Sequence, residues 1–266
     1  MKNEINLAII KKFDLYKEPS WNRIDRGYIN EKFKILGEKK EPLAICKKFT
    51  EEEEIYRAEQ RFEREESALE IYGGIIAPEI IWKKKPEIIV YSYIVGQELI
   101  HLEINEEIKI KLKDIIDQTH KIAQNKIRVN NEAVSIFYQE IISDYRKSEI
   151  KYPRKLIEEL EYLTDKQYEV LDQFKEQLTF VHGDLVPPNF IFNGKQFNII
   201  DWEFFRPELT FFDYQYFNYY AKAHKIPIEM KVDRRIHNLY FRLIDVLEKL
   251  WKYGYLQRKN KIHYDI

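Results

Sequence analysis

The segment VHGDLVPPNFIFNGKQFNIIDWE, residues 181–203, holds the residue types best suited to chemistry. Asp184 falls in a predicted loop just after a strand. Asn189 follows five residues later, and Asp201 stands twelve residues beyond that, at the end of a strand. Two carboxylates and one amide on loops at strand ends are what a magnesium–nucleotide site needs. Magnesium is a hard ion that prefers oxygen ligands. It takes only one or two carboxylates from a protein and fills its remaining positions with phosphate and water. A further carboxylate must orient an attacking hydroxyl and accept its proton. His-Gly-Asp alone is an ordinary turn, so the signal lies in the set and its spacing.

The surrounding pattern supplies elements to position these residues. Residues 30–36 alternate as a strand and residues 42–49 as another, with a hairpin turn over Gly37–Glu41. Thr50 and Glu53 resemble a capping box that opens a helix, which runs to Tyr72 and stops at Gly73-Gly74. Residues 79–82 and 87–94 read as two more strands. After Gly96 the texture changes. Ile108, Leu112, Ile115, Ile116 and Ile122 fall at helical spacing, as do Val134, Phe137, Ile141 and Tyr145. A third helix is predicted over residues 153–176, with a break near Thr164-Asp165. LTFVHG reads as a strand, NFIFNGKQFNIID as a hairpin turned at Asn193-Gly194, and Val232 to Leu250 as a last long helix. The expected fold class is α+β, with a small antiparallel β-rich part over residues 1–95 and a larger, mainly helical part over residues 96–266.

Bulk properties remove other classes. The 266 residues are 44% hydrophobic and 33% charged, enough for a core and a solvated surface, with no internal repeat and no low-complexity linker. The net charge of −1 gives no sign of a nucleic-acid partner. Cys46 is the only cysteine, which excludes an internal disulfide and a thiolate zinc cluster and fits a reducing, cytoplasmic setting. The N-terminus shows no signal-peptide pattern, and no stretch reaches the ~20 apolar residues of a membrane span.

HGDxxxxN followed by IIDWE resembles the signature of the aminoglycoside phosphotransferase and choline kinase superfamily, whose fold is protein-kinase-like. The resemblance implies a bilobal fold that uses ATP and Mg2+. By position, Asp184 becomes the catalytic base, and Asn189 and Asp201 the magnesium ligands. Phe212-Asp213-Tyr214 resembles the family's later Asp motif, which supports the catalytic loop, and His182 becomes a buried scaffold residue. Such a fold needs a strand lysine for the α- and β-phosphates and a helix glutamate to hold it. Strand alternation puts Lys47 and Lys48 on opposite faces. The family's residue two before the lysine is small or apolar and faces adenine. Cys46-x-Lys48 fits that better than Ile45-x-Lys47, so Lys48 is the choice and Lys47 the alternative.

Arg64-Glu65-Glu66-Ser67-Ala68-Leu69 resembles the family's "rExxxL", which makes Glu65 the partner. Gly27-Tyr28-Ile29-Asn30 resembles the GxxN form of the phosphate-covering loop, which implicates Gly27 and Asn30. IIVYSYI with Val95-Gly96 resembles the hinge strand, so adenine is expected to pair with backbone groups of Ser92 and Ile94, with Tyr91 behind it.

Only twelve residues separate Asp201 from Asp213, and no A-P-E motif is present, which favours a small-molecule acceptor over a protein. The aromatic run over residues 210–220, with Trp202, Phe204 and Phe205, suits a cation–π box for choline, stacking on sugars, or core packing. Glu203 could receive a cationic antibiotic. The reading is an ATP-dependent kinase for a hydroxyl of an aminoglycoside-like, sugar or amino-alcohol acceptor. Choline/ethanolamine-type kinase and a non-catalytic nucleotide-binding pseudokinase are the alternatives. A pseudokinase is expected to have lost Asp184, Asn189 or Asp201, and all three are present.

Overall fold

The computed structural model describes residues 1–24, 30–50 and 57–262. Two compact units are recognised: residues 1–122 with 186–205, and residues 123–185 with 206–266. This division differs from the one expected at residues 95 and 96, because residues 97–122 and the 186–205 segment join the first unit.

The first unit is built on a five-stranded antiparallel sheet. Its strands are β1 (Ser20–Ile24), β2 (Glu31–Leu36), β3 (Pro42–Lys48), β4 (Ile80–Lys84) and β5 (Ile88–Ser92), in the order β1-β2-β3-β5-β4. Strand period fixes which side chains share a face. Ala44 and Cys46 of β3 join Ile35 and Val90 in an apolar cluster with Ile5 and Ile9. Those two isoleucines belong to α1 (Lys2–Phe13), a helix that sequence reading left unassigned. Interleaved charges mask its short apolar stripe, and Ile5 and Ile9, one helical turn apart, are its contribution to the core.

The predicted hairpin between β2 and β3 is present, and α2 (Ala58–Tyr72) ends where Gly73 donates its amide to the Leu69 carbonyl. The predicted start of α2 at Thr50 is not observed, and Glu53 of the capping box lies outside the described residues. β6 (Gln97–Glu98) pairs with β8 (Phe190–Phe192), which pairs with β9 (Phe197–Ile199). The β8–β9 hairpin turns at Asn193-Gly194 as expected. Gly194 has φ 91, a left-handed conformation open to glycine at no steric cost, and the Asn193 side chain accepts the amides of Lys195 and Gln196.

The second unit is mainly helical. α3 (Glu106–Lys126) belongs to the first unit up to residue 122, and the second unit holds α4 (Asn131–Lys147), α5 (Arg154–Leu171), α6 (Phe211–Ala223) and α7 (Arg234–Ile262). Asn130 caps α4 by accepting the Ala133 amide at 2.9 Å. α5 runs through Thr164-Asp165 without the expected break and passes at Asp172 into a 3-10 turn. α6 was legible in the sequence only as an aromatic concentration. β7 (Leu178–Val181) pairs with β10 (Arg206–Leu209). Among the described residues no helix is long and apolar enough to cross a membrane.

Candidate active site

Six charged side chains and one amide converge on one face of the five-stranded sheet. Lys47, on the face of β3 opposite Cys46, is fully buried and donates to Glu65 Oε2 and to Asp201 Oδ1, both at 2.5 Å. Lys32 lies directly opposite Lys47 on β2, and its Nζ is 2.9 Å from Asp201 Oδ2. Glu203 receives Asn30 Nδ2 at 2.7 Å and Arg61 Nη1 at 3.3 Å, and lies 3.7 Å from Lys47 Nζ. Arg61 also donates to Asn30 Oδ1 at 2.5 Å and to the Thr50 carbonyl. Arg61 and Glu65 are four residues apart on α2, so one helical face delivers both.

The charges balance within the cluster: Lys32, Lys47 and Arg61 against Glu65, Asp201 and Glu203. Burial of so many ions is tolerated only when each is paired and hydrogen-bonded. Burial works against the charge of Lys47, but the neighbouring carboxylates of Asp201, Glu203 and Glu65 outweigh it and raise its pKa well above the usual lysine value. Burial pushes Glu65 up to about 7, with Lys47 pulling the other way. Burial also acts to raise Asp201, but Lys32 and Lys47 prevail and hold it well below the usual carboxylate range. Tyr91, opposite Ile45 on the same face, has its phenol raised by burial and then by the charge of Glu65.

The expected lysine is corrected here. Lys48 is exposed and bonds Glu31 at 3.0 Å, whereas its neighbour Lys47 holds the buried position. The inference from Cys46 failed because α1 covers the Cys46 face, so a small apolar residue there serves the core. Glu203 is likewise no acceptor for a cationic antibiotic on an open surface; it is bound to Asn30 and Arg61. Lys32 and Arg61 were not singled out in the sequence. Strand alternation from Lys47 through the β2–β3 register was the signal that could have found Lys32.

Asp201 has φ 68, a left-handed conformation uncommon outside glycine and one that gathers at functional sites. Asn189 closes a 3-10 turn over Pro187–Asn189, and its carbonyl accepts the Ile200 amide at 3.0 Å, which brings the Asn189 backbone alongside the residue before Asp201. Trp202 stacks on Tyr72 with centroids 4.5 Å apart, and Phe205 meets Tyr72 edge-on. These aromatics are core. Ser92, at the end of β5, donates its amide to the Glu79 carbonyl, and its hydroxyl receives the Glu79 amide. Its amide and hydroxyl are therefore both engaged with Glu79. Ile94 lies two residues past that strand, and Gly27 lies outside the described residues.

Asp184 belongs to the second unit. It follows β7 in a turn made possible by Gly183 at φ 81. Asp213, at the start of α6, accepts the His182 amide at 2.9 Å and the Gly183 amide at 3.0 Å. The buried His182 Nδ1 accepts the Asp184 amide at 3.2 Å. Arg206 lies between the faces of Phe137 and Phe212 and donates to the Gly183 carbonyl at 3.3 Å. The loop is thus held on three amides and on the Gly183 carbonyl. On the following turns of α6, Tyr216 donates to Glu248 at 2.6 Å. Its phenol is raised by burial and then by the charges of Asp184 and Glu248.

A family model described as "Phosphotransferase enzyme family" matches residues 20–250. No curated protein sequence matches the chain. Among solved structures, a choline kinase from Cryptosporidium parvum Iowa II superposes with TM-score 0.62 at 15% identity, over 99% of this chain and 97% of its own. The GDP and kanamycin complex of APH(2")-IIia gives 0.55 at 16% identity, over 99% and 98%. A choline/ethanolamine kinase family protein from Mesorhizobium loti gives 0.53 at 16% identity, over 98% and 88%. At such identities the likeness concerns the fold, which is kinase-like. The family match spans Lys47, Glu65, Asp184, Asn189 and Asp201, and on it the chain belongs to the phosphotransferase enzyme family.

Proposed function

We propose that the chain is an ATP-dependent kinase of a small cationic alcohol. The observation that carries this reading is the buried Lys47–Glu65 pair continued to Asp201. A lysine held by a helix glutamate beside an acidic strand-end residue is the arrangement that grips the α- and β-phosphates of a nucleotide. Tyr91 on the same face and the Ser92 carbonyl support a purine pocket, with Ile94 offering the next backbone group. Asn30 belongs beside the phosphates.

Asn189 and Asp201 fit a magnesium ion. Both offer hard oxygen donors, and one carboxylate with one amide suffices for an ion that draws most ligands from phosphate and water. Among the described residues no three His, Cys, Asp or Glu side chains form a metal cluster. Held by Asn189 and Asp201, magnesium would supply positive charge against the phosphate oxygens. Asp184, on its fixed loop, orients the acceptor hydroxyl and takes its proton. Positioning and charge neutralisation supply most of the acceleration.

The acceptor class is supported by the surroundings of Asp184. Tyr216 and Tyr220 border Glu248, and both phenols are raised by burial and then by nearby carboxylates. Aromatic faces with acidic groups suit an ammonium-bearing alcohol better than a neutral sugar. Neighbours of the same fold include a choline kinase and a complex with kanamycin. The test is nucleotide turnover across choline, ethanolamine, aminoglycosides and neutral sugars, with ATP and GTP, for wild type and Asp184→Asn. Turnover is expected with an amino alcohol or aminoglycoside and lost in the variant. No turnover with any acceptor, or turnover indifferent to the substitution, removes the assignment.

A further inference from the structure

Lys32 is one of the charged residues on this sheet face, with Arg61 and Glu203, that phosphoryl transfer as described above does not use. It sits across the β2–β3 ladder from Lys47 and holds the second oxygen of the Asp201 carboxylate. Asp201 therefore has both oxygens engaged by ammonium groups, Oδ1 by Lys47 and Oδ2 by Lys32. The two lysines differ in their ties. Lys47 is fully buried and is also held by Glu65, whereas Lys32 has Asp201 as its ion-pair partner and keeps 18% of its side chain exposed. A flexible four-carbon stem on a partly open residue can swing while its neighbour stays fixed.

Charge accounting points the same way. The described cluster holds three cations and three carboxylates. A metal ion engaging Asp201 competes with both ammonium groups for the same oxygens. A triphosphate arriving with it brings more negative charge than one divalent ion cancels. An ammonium group released from Asp201 beside that phosphate chain has a new anionic partner within the same site.

We propose that Lys32 is a phosphate-binding residue that exchanges Asp201 for the terminal phosphates of a bound nucleotide, and that its hold on Asp201 suppresses metal binding until the nucleotide arrives. This rests on the nucleotide reading above. It makes metal and nucleotide binding mutually dependent, because each removes an obstacle to the other.

The experiment compares wild type, Lys32→Met, Lys32→Gln and the opposite-face control Lys48→Met. Binding of ATP is measured by calorimetry with and without MgCl2, and thermal stability is measured with MgCl2 alone. In both Lys32 variants ATP affinity at saturating magnesium is expected to fall about tenfold, the size of one lost charge-assisted contact. The same variants should gain a stabilisation by magnesium alone that wild type lacks. Lys48→Met should match wild type in both readouts. Two substitutions of different polarity guard against a folding defect in either one. Wild-type ATP affinity with an unchanged magnesium response in the Lys32 variants overturns the proposal while the nucleotide reading stands. Absence of ATP binding by wild type overturns both.

Discussion

Asp184 and Asp201 are held in opposite ways. Asp201 is gripped by side-chain charges: two ammonium groups meet its oxygens, and its backbone sits in the left-handed region. Asp184 is positioned through its backbone: Asp213 takes the amides of His182 and Gly183, His182 takes the Asp184 amide, and Arg206 takes the Gly183 carbonyl. The difference matches the two tasks proposed for them. A carboxylate that must bind cations is best kept ionised by cations already there. One that must accept a proton is best fixed in space by the loop that carries it.

The contrast makes predictions of decreasing size. Asp184→Asn should lower kcat by about 10³-fold with nucleotide affinity retained, because it removes a proton acceptor and leaves the loop intact. Equal losses in affinity and kcat would contradict the division of labour. Lys47→Met should lower kcat/KM by about 10²-fold and weaken nucleotide binding, while Lys48→Met changes either by less than about twofold. Equal effects at the two lysines would mean that the two faces of β3 are not chemically distinct. Asp213→Asn weakens two buried bonds to the loop and should reduce kcat by about tenfold with little change in nucleotide affinity. A nucleotide-binding defect in that variant would show that loop and phosphate site are not separately held.

The smallest effect concerns pH. Burial raises Glu65 from an ordinary 4.5 to about 7, so the folded state favours its protonated form. The stability this contributes is full below pH 4.5 and is lost as pH rises towards 7, where the carboxyl must ionise while buried. The melting temperature of the nucleotide-free protein should carry a downward slope across that window, and Glu65→Gln should flatten it. Asp201 behaves oppositely. Its depressed value keeps it ionised, so its ion pairs persist as pH falls below the usual carboxylate range.

Much of this was legible in the sequence. Asp184, Asn189 and Asp201 stand out by residue type and spacing, and the structure sets Asp201 in the charged cluster and Asp184 in a loop tied to Asp213. The hairpin at Asn193-Gly194 was legible because left-handed turns select those residues. Glu65 was recoverable from the resemblance of Arg64–Leu69 to the family's pattern, and the structure pairs it with Lys47. Lys47 was passed over for Lys48 because alternation divides two faces without saying which is covered, and the cover is α1, a helix whose stripe of two isoleucines is too short to read. Lys32 and Arg61 were invisible for a related reason. Each is one cation among 44 lysines and arginines, and only strand register or helix packing distinguishes it from a solvated neighbour.

Cys46 carries a consequence of that same cover. Its thiol is buried beneath α1 among Ile5, Ile9 and Val90, and burial pushes it up to about 12. A thiol so protonated and enclosed does not react with alkylating reagents from the folded state. As the only cysteine of the chain it is a built-in clock. Its alkylation rate should count the openings of the N-terminal sheet, and saturation with nucleotide, which clamps the opposite face, should slow it.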